Sequence, residues 1–481
     1  MSISSSLSNA VSGLTAAARG AEVISANVAN ANTDGYGRRD ITLGTTTVGG
    51  GVRVEGVSRN VNTAAIADRR LSDAEVGSTS VALNFFESLE ASMGLPGDSA
   101  SLSSAISTLE QNLITATARP DNTANLSEIV ATATQITNKI NDVSETIQQA
   151  RANADAEIAS QVTQINTSLK LVEELNTDIN YLSATNSDAS SLVDQRQIEI
   201  DKISAFIPLQ EISRDGNQVS LITQTGATLL DVKAATLIFT ATPLITPDMT
   251  LSSGGVSGLS IEGAASQFGD AAKSIEGGAL AANFALRDTI TLDAQTQLDA
   301  LSRNLIERFS GPTADSTLSL GQAGLFTDGG ADFDALNELD VSSRMSVNAI
   351  VDLSQGGDPT KLRDGIASSA PRPVGDGSMF VTLRSALTDP QSPASGRFTI
   401  NGGVSDIVND ALSQFGASLR DSEANHTYAT ARSTALKDIE LQSGVSTDDE
   451  LQKLLVIEQA YAANVRVIQA VDEMMQSILR I

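Results

Sequence analysis

Catalysis needs nucleophiles, proton carriers or metal ligands at close spacing, and this chain offers few. It contains no Cys, which removes thiolate nucleophiles, thiolate metal sites and disulfides. Its single histidine, His426, lies in the polar stretch Glu423-Ala-Asn-His-Thr-Tyr428, so any Ser–His relay or two-His metal site rests on one residue. It reads as a surface histidine. The acidic pairs Glu173-Glu174, Asp448-Asp449 and Asp472-Glu473 fall on helix surfaces or helix starts, where carboxylates favour the positive end of the dipole. Gly49-Gly-Gly51 and Gly254-Gly255 lack the Lys and helix start of a phosphate loop and read as turns. The Asp-rich run Thr327–Asp334 misses calcium-loop spacing. No catalytic, cofactor-binding or metal-binding set emerges.

The informative spacing is apolar. Ile3, Leu7, Ala10, Leu14, Ala17, Ala21, Ile24 and Val28 recur at alternating fours and threes, a heptad seam with Ala at several positions for close helix approach. Asn30, Asn32 and Gly35, residues that tolerate left-handed backbone, end this helix. At the other end, Ser446 and Asp449 form a capping box. From there Leu454, Tyr461, Ile468 and Met475 recur in sevens, flanked by Ile457, Val465, Val471 and Ile478. Each terminal stripe is too narrow for a globular core, so the two ends of the chain are expected to pair.

Between them, no Gly or Pro occurs from Asp121 to Ile207, and a heptad runs from Ile129 to Ala154. A stutter at Ile158 shifts its phase through to Leu182, predicting a helix of about 85 Å. Residues 206–275 are rich in Thr, Gly, Leu and Val, with Asp215-Gly216 as a hairpin signal, and read as an inserted β-rich domain. Helix returns from about Gly278 to Phe309, residues 311–402 read as an irregular insert with short strands, and helix resumes near Val404. The expected fold is mainly α with β-rich inserts, an elongated multi-domain rod. Residues 1–32 and 446–481 form a terminal coiled coil, and 33–205, 276–310 and 403–445 a discontinuous helical bundle.

Composition agrees with thin helices. Aromatics are 3% of 481 residues, so burial falls to Ala, Leu, Ile and Val and the monomer is marginally stable. A formal charge of −27 makes nucleic acid and anionic membranes poor partners. The N-terminus lacks a signal-peptide pattern, and no run reaches the ~20 apolar residues of a membrane span.

The segment Ser25–Arg38 resembles the N-terminal signature of bacterial flagellar rod, hook and hook-associated proteins, with Asn27, Ala29, Asn30, Thr33, Gly35 and Tyr36 on the pattern. Leu454–Ile468 and Asp472-Glu-Met474 are similar to that family's C-terminal hallmark. Arg119-Pro-Asp, Leu192-Val-Asp-Gln-Arg-Gln197 and Gly277–Arg287 are similar to the hook-associated protein 1 family. The resemblance implies a structural role at the hook–filament junction of the extracellular flagellum. It implies export through the flagellar type III channel with a chaperone at the C-terminal region, then self-association in a ring. The neighbours would be hook protein on one side and the next junction protein or filament on the other. The terminal seams (Ile3, Leu7, Leu14, Ala21, Ile24 and Val28 with Leu454, Tyr461, Val465, Ile468, Met475 and Ile478) would gain partners only in that assembly. Two other readings stay open: another axial protein, such as hook protein or the second junction protein, or a secreted adhesin or hydrolase on a coiled-coil stalk.

Overall fold

A computed structural model describes residues 3–46, 50–95, 97–185, 187–262 and 275–480. The chain begins with α1 (Ile3–Ala29) and an antiparallel hairpin, β1 (Arg38–Thr45) and β2 (Val52–Asn60), followed by α2 (Thr63–Met93), α3 (Leu102–Ala118), α4 (Thr123–Ala184) and α5 (Ser190–Phe206). Side-chain caps set three of these starts. Asn62 accepts from the Ala65 amide, Ser101 from Ser104 and Asn122 from Ala124, each satisfying an N–H left open at a first turn. The hairpin at 38–60 lies within the span expected to be helical bundle. It packs on α1, and β2 alternates half-buried and exposed residues along its length.

With no Gly or Pro to break it, α4 runs 62 residues, about 93 Å at 1.5 Å per residue. This one helix serves two cores. Residues 126–154 pack with the end of α2, with α3 and with later helices, whereas Ile158, Val162, Ile165, Leu169 and Val172 pack with α5 and a β-rich segment. The break falls at the stutter. There the buried face carries Arg151 and Asp155 instead of aliphatics, both essentially without exposure. Arg151 Nε donates to the Arg287 carbonyl at 3.0 Å, and Arg287 pairs with Asp155 at 2.6 Å. A buried ion pair holds geometry more than it adds stability.

The β-rich segment comprises β3 (Leu209–Ser213), β4 (Val219–Thr223), β5 (Thr228–Leu230), β6 (Thr236–Ile238) and β7 (Ser260–Glu262). The Asp215-Gly216 signal makes the β3–β4 turn, with Gly216 and Asn217 both at positive φ. Part of this segment, 263–274, lies outside the described residues. Then come α6 (Gly278–Ala285), a π-helical turn at Leu286–Ile290 and α7 (Thr291–Phe309).

Residues 311–402 hold one-turn helices α8 (Gly311–Ala314), α9 (Val341–Arg344) and α10 (Lys361–Asp364), strands β8 (Phe326–Asp328) and β9 (Met345–Val347), and α11 (Ser378–Thr388). They were expected to form an irregular insert, yet Leu325, Phe326, Val341, Met345, Phe380 and Leu383 share the first core with α3, α4 and α7. Short apolar runs between loops carry no helical period, so their burial was not legible. Arg308 ties the end of this stretch down by donating to the carbonyls of Asp389 and Gly402, both at 2.7 Å. The chain closes with α12 (Val404–Gln442) and α13 (Thr447–Leu479).

Phe326 is fully buried and meets Phe309 edge-on at 5.1 Å. Phe326→Ala is expected to cost about 3–5 kcal/mol in urea unfolding. Leu320→Ala, at 88% exposure, should cost about 0.5 kcal/mol or less. Equal small effects would show that 311–402 lies off the core.

Candidate functional site

The two chain ends meet as an antiparallel helix pair. Gly13 faces Asn464, Gly20 faces Ile457, and Asn27 bonds Glu450, so the contacts step by seven in opposite directions along α1 and α13. A Cβ at Gly13 or Gly20 would lie 2.7 Å from the opposing side chain. The missing side chains let the backbones approach closely. On α1, Ala10, Ala16, Ala17, Val23 and Ile24 are also buried. The hairpin packs on α1 beside them, with the Val52 amide donating to Ser12 Oγ at 3.2 Å. On α13 only Glu450 and Val471 are fully buried.

The pairing of the ends therefore forms within one chain, where the seams were expected to stay open until assembly. It shares Ile457 and Val471 with the anticipated pattern and adds Gly13, Gly20, Asn27, Glu450 and Asn464 to it. Of the anticipated seam residues, Ala10, Ala17, Ile24 and Val471 are buried and Ile457 is half-buried. Ile3, Leu7, Leu14, Ala21 and Val28 on α1, and Leu454, Val465 and Ile468 on α13, are half-buried. Tyr461, Met475 and Ile478 are exposed at 47, 45 and 59%. The contact follows Glu450, Ile457, Asn464 and Val471. Reading by apolarity alone passes over a row that contains Glu and Asn opposite Gly.

Asn27 is the centre of the joint. Its Nδ2 donates to Glu450 Oε2 and to the Arg39 carbonyl, both at 2.8 Å. Its Oδ1 accepts from Tyr36 Oη at 2.9 Å and from the Arg39 amide at 3.0 Å. Two donors and two acceptors exhaust what a carboxamide offers. Burial raises the Tyr36 phenol's pKa, with the nearby carboxylates adding and Arg39 opposing, so the hydroxyl keeps its proton for Asn27. Glu450 is 1% exposed and is also held by Lys453 at 2.7 Å, with Arg38 at 4.0 Å. The other motif residues shape the turn. Asn30 Nδ2 donates to the Ala26 carbonyl, the Thr33 amide donates to the Asn30 carbonyl, and Gly35 at φ +76° passes so near Ile198 that a Cβ would sit 2.6 Å from it. Ala29 is exposed.

A second cluster fixes this joint to the body. Asp194 on α5 accepts from the Gly37 amide at 3.0 Å, Arg59 at 2.7 Å and Arg39 at 2.9 Å. Beside it, Arg69 on α2 bonds Asp73, Asp201 on α5 and Glu440 on α12. Burial would lower the Arg69 pKa, but Asp201 and Glu440 more than reverse that, so the residue stays charged. Sequence reading did not single out Glu450, Gly13, Gly20 or Arg69. Glu450, Ile457, Asn464 and Val471 at successive sevens were the available signal for the first.

Three family models match in chain order. The "Flagella basal body rod protein" model matches residues 7–36, the "Flagellar hook-associated protein FlgK helical domain" matches 86–324, and the "Flagellar basal body rod FlgEFG protein C-terminal" model matches 441–481. The chain belongs to the hook-associated protein 1 family of flagellar axial proteins. Flagellar hook-associated protein 1 of Salmonella typhimurium is 25% identical over 48% of this chain and 44% of its own length, so the matched stretch spans about half of that relative. The Bacillus subtilis protein of the same description is 22% identical over 94% of this chain and 93% of its own. The solved structure of the flagellar hook junction protein FlgK from Burkholderia pseudomallei matches with a TM-score of 0.45 at 21% identity, covering 55% of this chain and 47% of that one. Asn27 lies in the N-terminal rod-type match and Glu450 in the C-terminal one, so their bond joins the two matched ends. Among the described residues, no helix is long and apolar enough to cross a membrane.

Removing either partner of the Asn27–Glu450 bond leaves a buried polar group unmatched. Asn27→Ala and Glu450→Ala should each cost about 1.5–3 kcal/mol, and a double-mutant cycle in urea should show a coupling of about 1 kcal/mol or more. Asn27→Asp sets two carboxylates together, which raises their folded-state pKa values above the unfolded ones. Its stability should therefore be lowest at neutral pH and recover as pH falls towards ~5, the reverse of a salt-bridged carboxylate.

Proposed function

We propose that this chain is a structural, non-enzymatic subunit of the hook–filament junction that polymerises through its paired ends. The observation that carries this reading is the surface left on α13. Leu451, Leu455, Val456, Tyr461, Val467, Met474, Met475 and Ile478 are each 44–65% exposed on one helix. That helix packs mainly against α1. Exposed apolar area on this scale marks an interaction face. Rigid pairing with α1 presents it as a formed surface, so assembly need not first order the helix.

In this role the chain associates with itself in a ring, with hook protein on one side and the next junction protein or filament on the other. An export chaperone covers the C-terminal region before the chain leaves the cell through the flagellar type III channel. The relatives' names and the order of the matched models support that placement. The half-buried terminal seam residues and the exposed Tyr461, Met475 and Ile478 then act as subunit contacts. The domain division of a terminal pair, helical body and β-rich segment gives the assembly a rod-like subunit whose ends alone polymerise.

Leu455→Asp with Val456→Asp should leave the monomer's helical circular dichroism unchanged and abolish higher species in sedimentation velocity. Cells carrying only this variant should stop growing filaments. Deleting residues 446–481 should have the same effect on assembly. Normal filaments in either strain would overturn the proposal.

A further inference from the structure

A cleft of about 320 Å³ opens where the end of β2, the start of α2, α5 and β3 meet. Three guanidinium groups line it, Arg59, Arg70 and Arg196, against one carboxylate, Glu211. Arg59 is paired outside it by Asp194, and Arg70 is paired by Asp201 outside it and by Glu211 within it at 2.7 Å, so Arg196 is the lining arginine without a carboxylate partner. Thr63 and Ala64, in the first turn of the 31-residue α2, do, and they add the positive end of its dipole.

Arg196 is the telling group. It is 4% exposed, and only Nη1 is used, donating to Asn176 Oδ1 at 2.9 Å and the Asn217 carbonyl at 2.7 Å. Its Nε and Nη2 have no partner among the described residues. The other buried arginines use more of theirs: Arg151, Arg287 and Arg308 each engage all three nitrogens, and Arg70 and Arg363 two. Burial lowers the Arg196 pKa, which Glu211 opposes and Arg59 and Arg70 reinforce, so this charge is short of a counterion. Nε and Nη2 form the edge of a guanidinium that binds a carboxylate through two parallel bonds.

We propose that this cleft is a carboxylate-binding site, filled in the assembly by an Asp or Glu side chain of a neighbouring copy of the chain. The choice of occupant rests on charge complementarity and on the assembly proposed above. With 58 acidic residues against 31 basic ones, a second copy is rich in the carboxylates that complement this arginine-lined cleft. The Leu192–Gln197 motif then has two jobs: Asp194 anchors the hairpin root and Arg196 receives the neighbour.

The site is tested on the full-chain monomer with sodium glutarate, against sodium chloride at matched ionic strength, by thermal melting. Glutarate well above its Kd should raise the wild-type Tm by about 2–4 °C and leave Arg196→Gln unmoved. No wild-type rise, or an equal rise in the variant, overturns the site. The occupant is tested with Arg196→Lys, which places an amine in the cleft, by carbodiimide coupling of sedimented assemblies and mass spectrometry. A link from position 196 to an acidic residue of another copy is expected. A link confined to Glu211 of the same chain overturns the neighbour as its source. If wild type forms no assembly in sedimentation, the neighbour falls with the assembly reading, and the glutarate melt still decides the site.

Discussion

The structure of the chain ends depends on placing a buried carboxylate, Glu450, against a buried carboxamide, Asn27. Neither group tolerates burial without its partner, so the bond is made only if α1 and α13 lie close and in one register. Gly13 and Gly20 supply the closeness, since larger residues there would hold the helices apart. Register follows because a slip would strand both polar groups in an apolar contact. A polar pair in a helix seam thus specifies alignment, much as a buried Asn does in coiled coils.

The same amide organises what surrounds it. By accepting from Tyr36 and from the Arg39 amide, Asn27 fixes where the chain enters β1, and so where the hairpin lies on α1. Asp194 then gathers Gly37, Arg39 and Arg59 from the hairpin onto α5, and Arg69 gathers α2, α5 and α12. A narrow helix pair with little core of its own is thereby held to a large helical body through directional polar contacts. The apolar face of α13 is left open because α13 has little else but α1 to pack on.

Much of this was legible in the sequence where periodicity is long. The uninterrupted span after Asp121 became a single helix, its stutter at Ile158 marked the change of core, and Asp215-Gly216 made a hairpin turn. The ends were recognisable as helices that pair, and Ser446 caps α13 as expected. Ala10, Ala17, Ile24, Ile457 and Val471 stood in the expected stripes, but the glycine and polar positions of the contact were not legible. Heptad reading ranks Leu, Tyr and Met above Gly, Asn and Glu, whereas close packing of two thin helices selects the smallest residues and a matched polar pair. The burial of 311–402 was hidden too, because Phe326, Met345 and Phe380 are fixed by contacts distant in sequence. Asp194 and Arg196 stood in a noted motif, but their roles come from the fold bringing residues 35–70 beside 194–213.

Hydrogen exchange with mass spectrometry on the purified monomer tests the central claim most directly. If the ends are one unit set by Asn27 and Glu450, α1 and α13 will exchange at a common rate, slower than an isolated helix. Glu450→Ala will then speed both together while α4 stays protected. Independent exchange of the two helices in the wild type, or acceleration of α13 alone in the variant, would contradict the account.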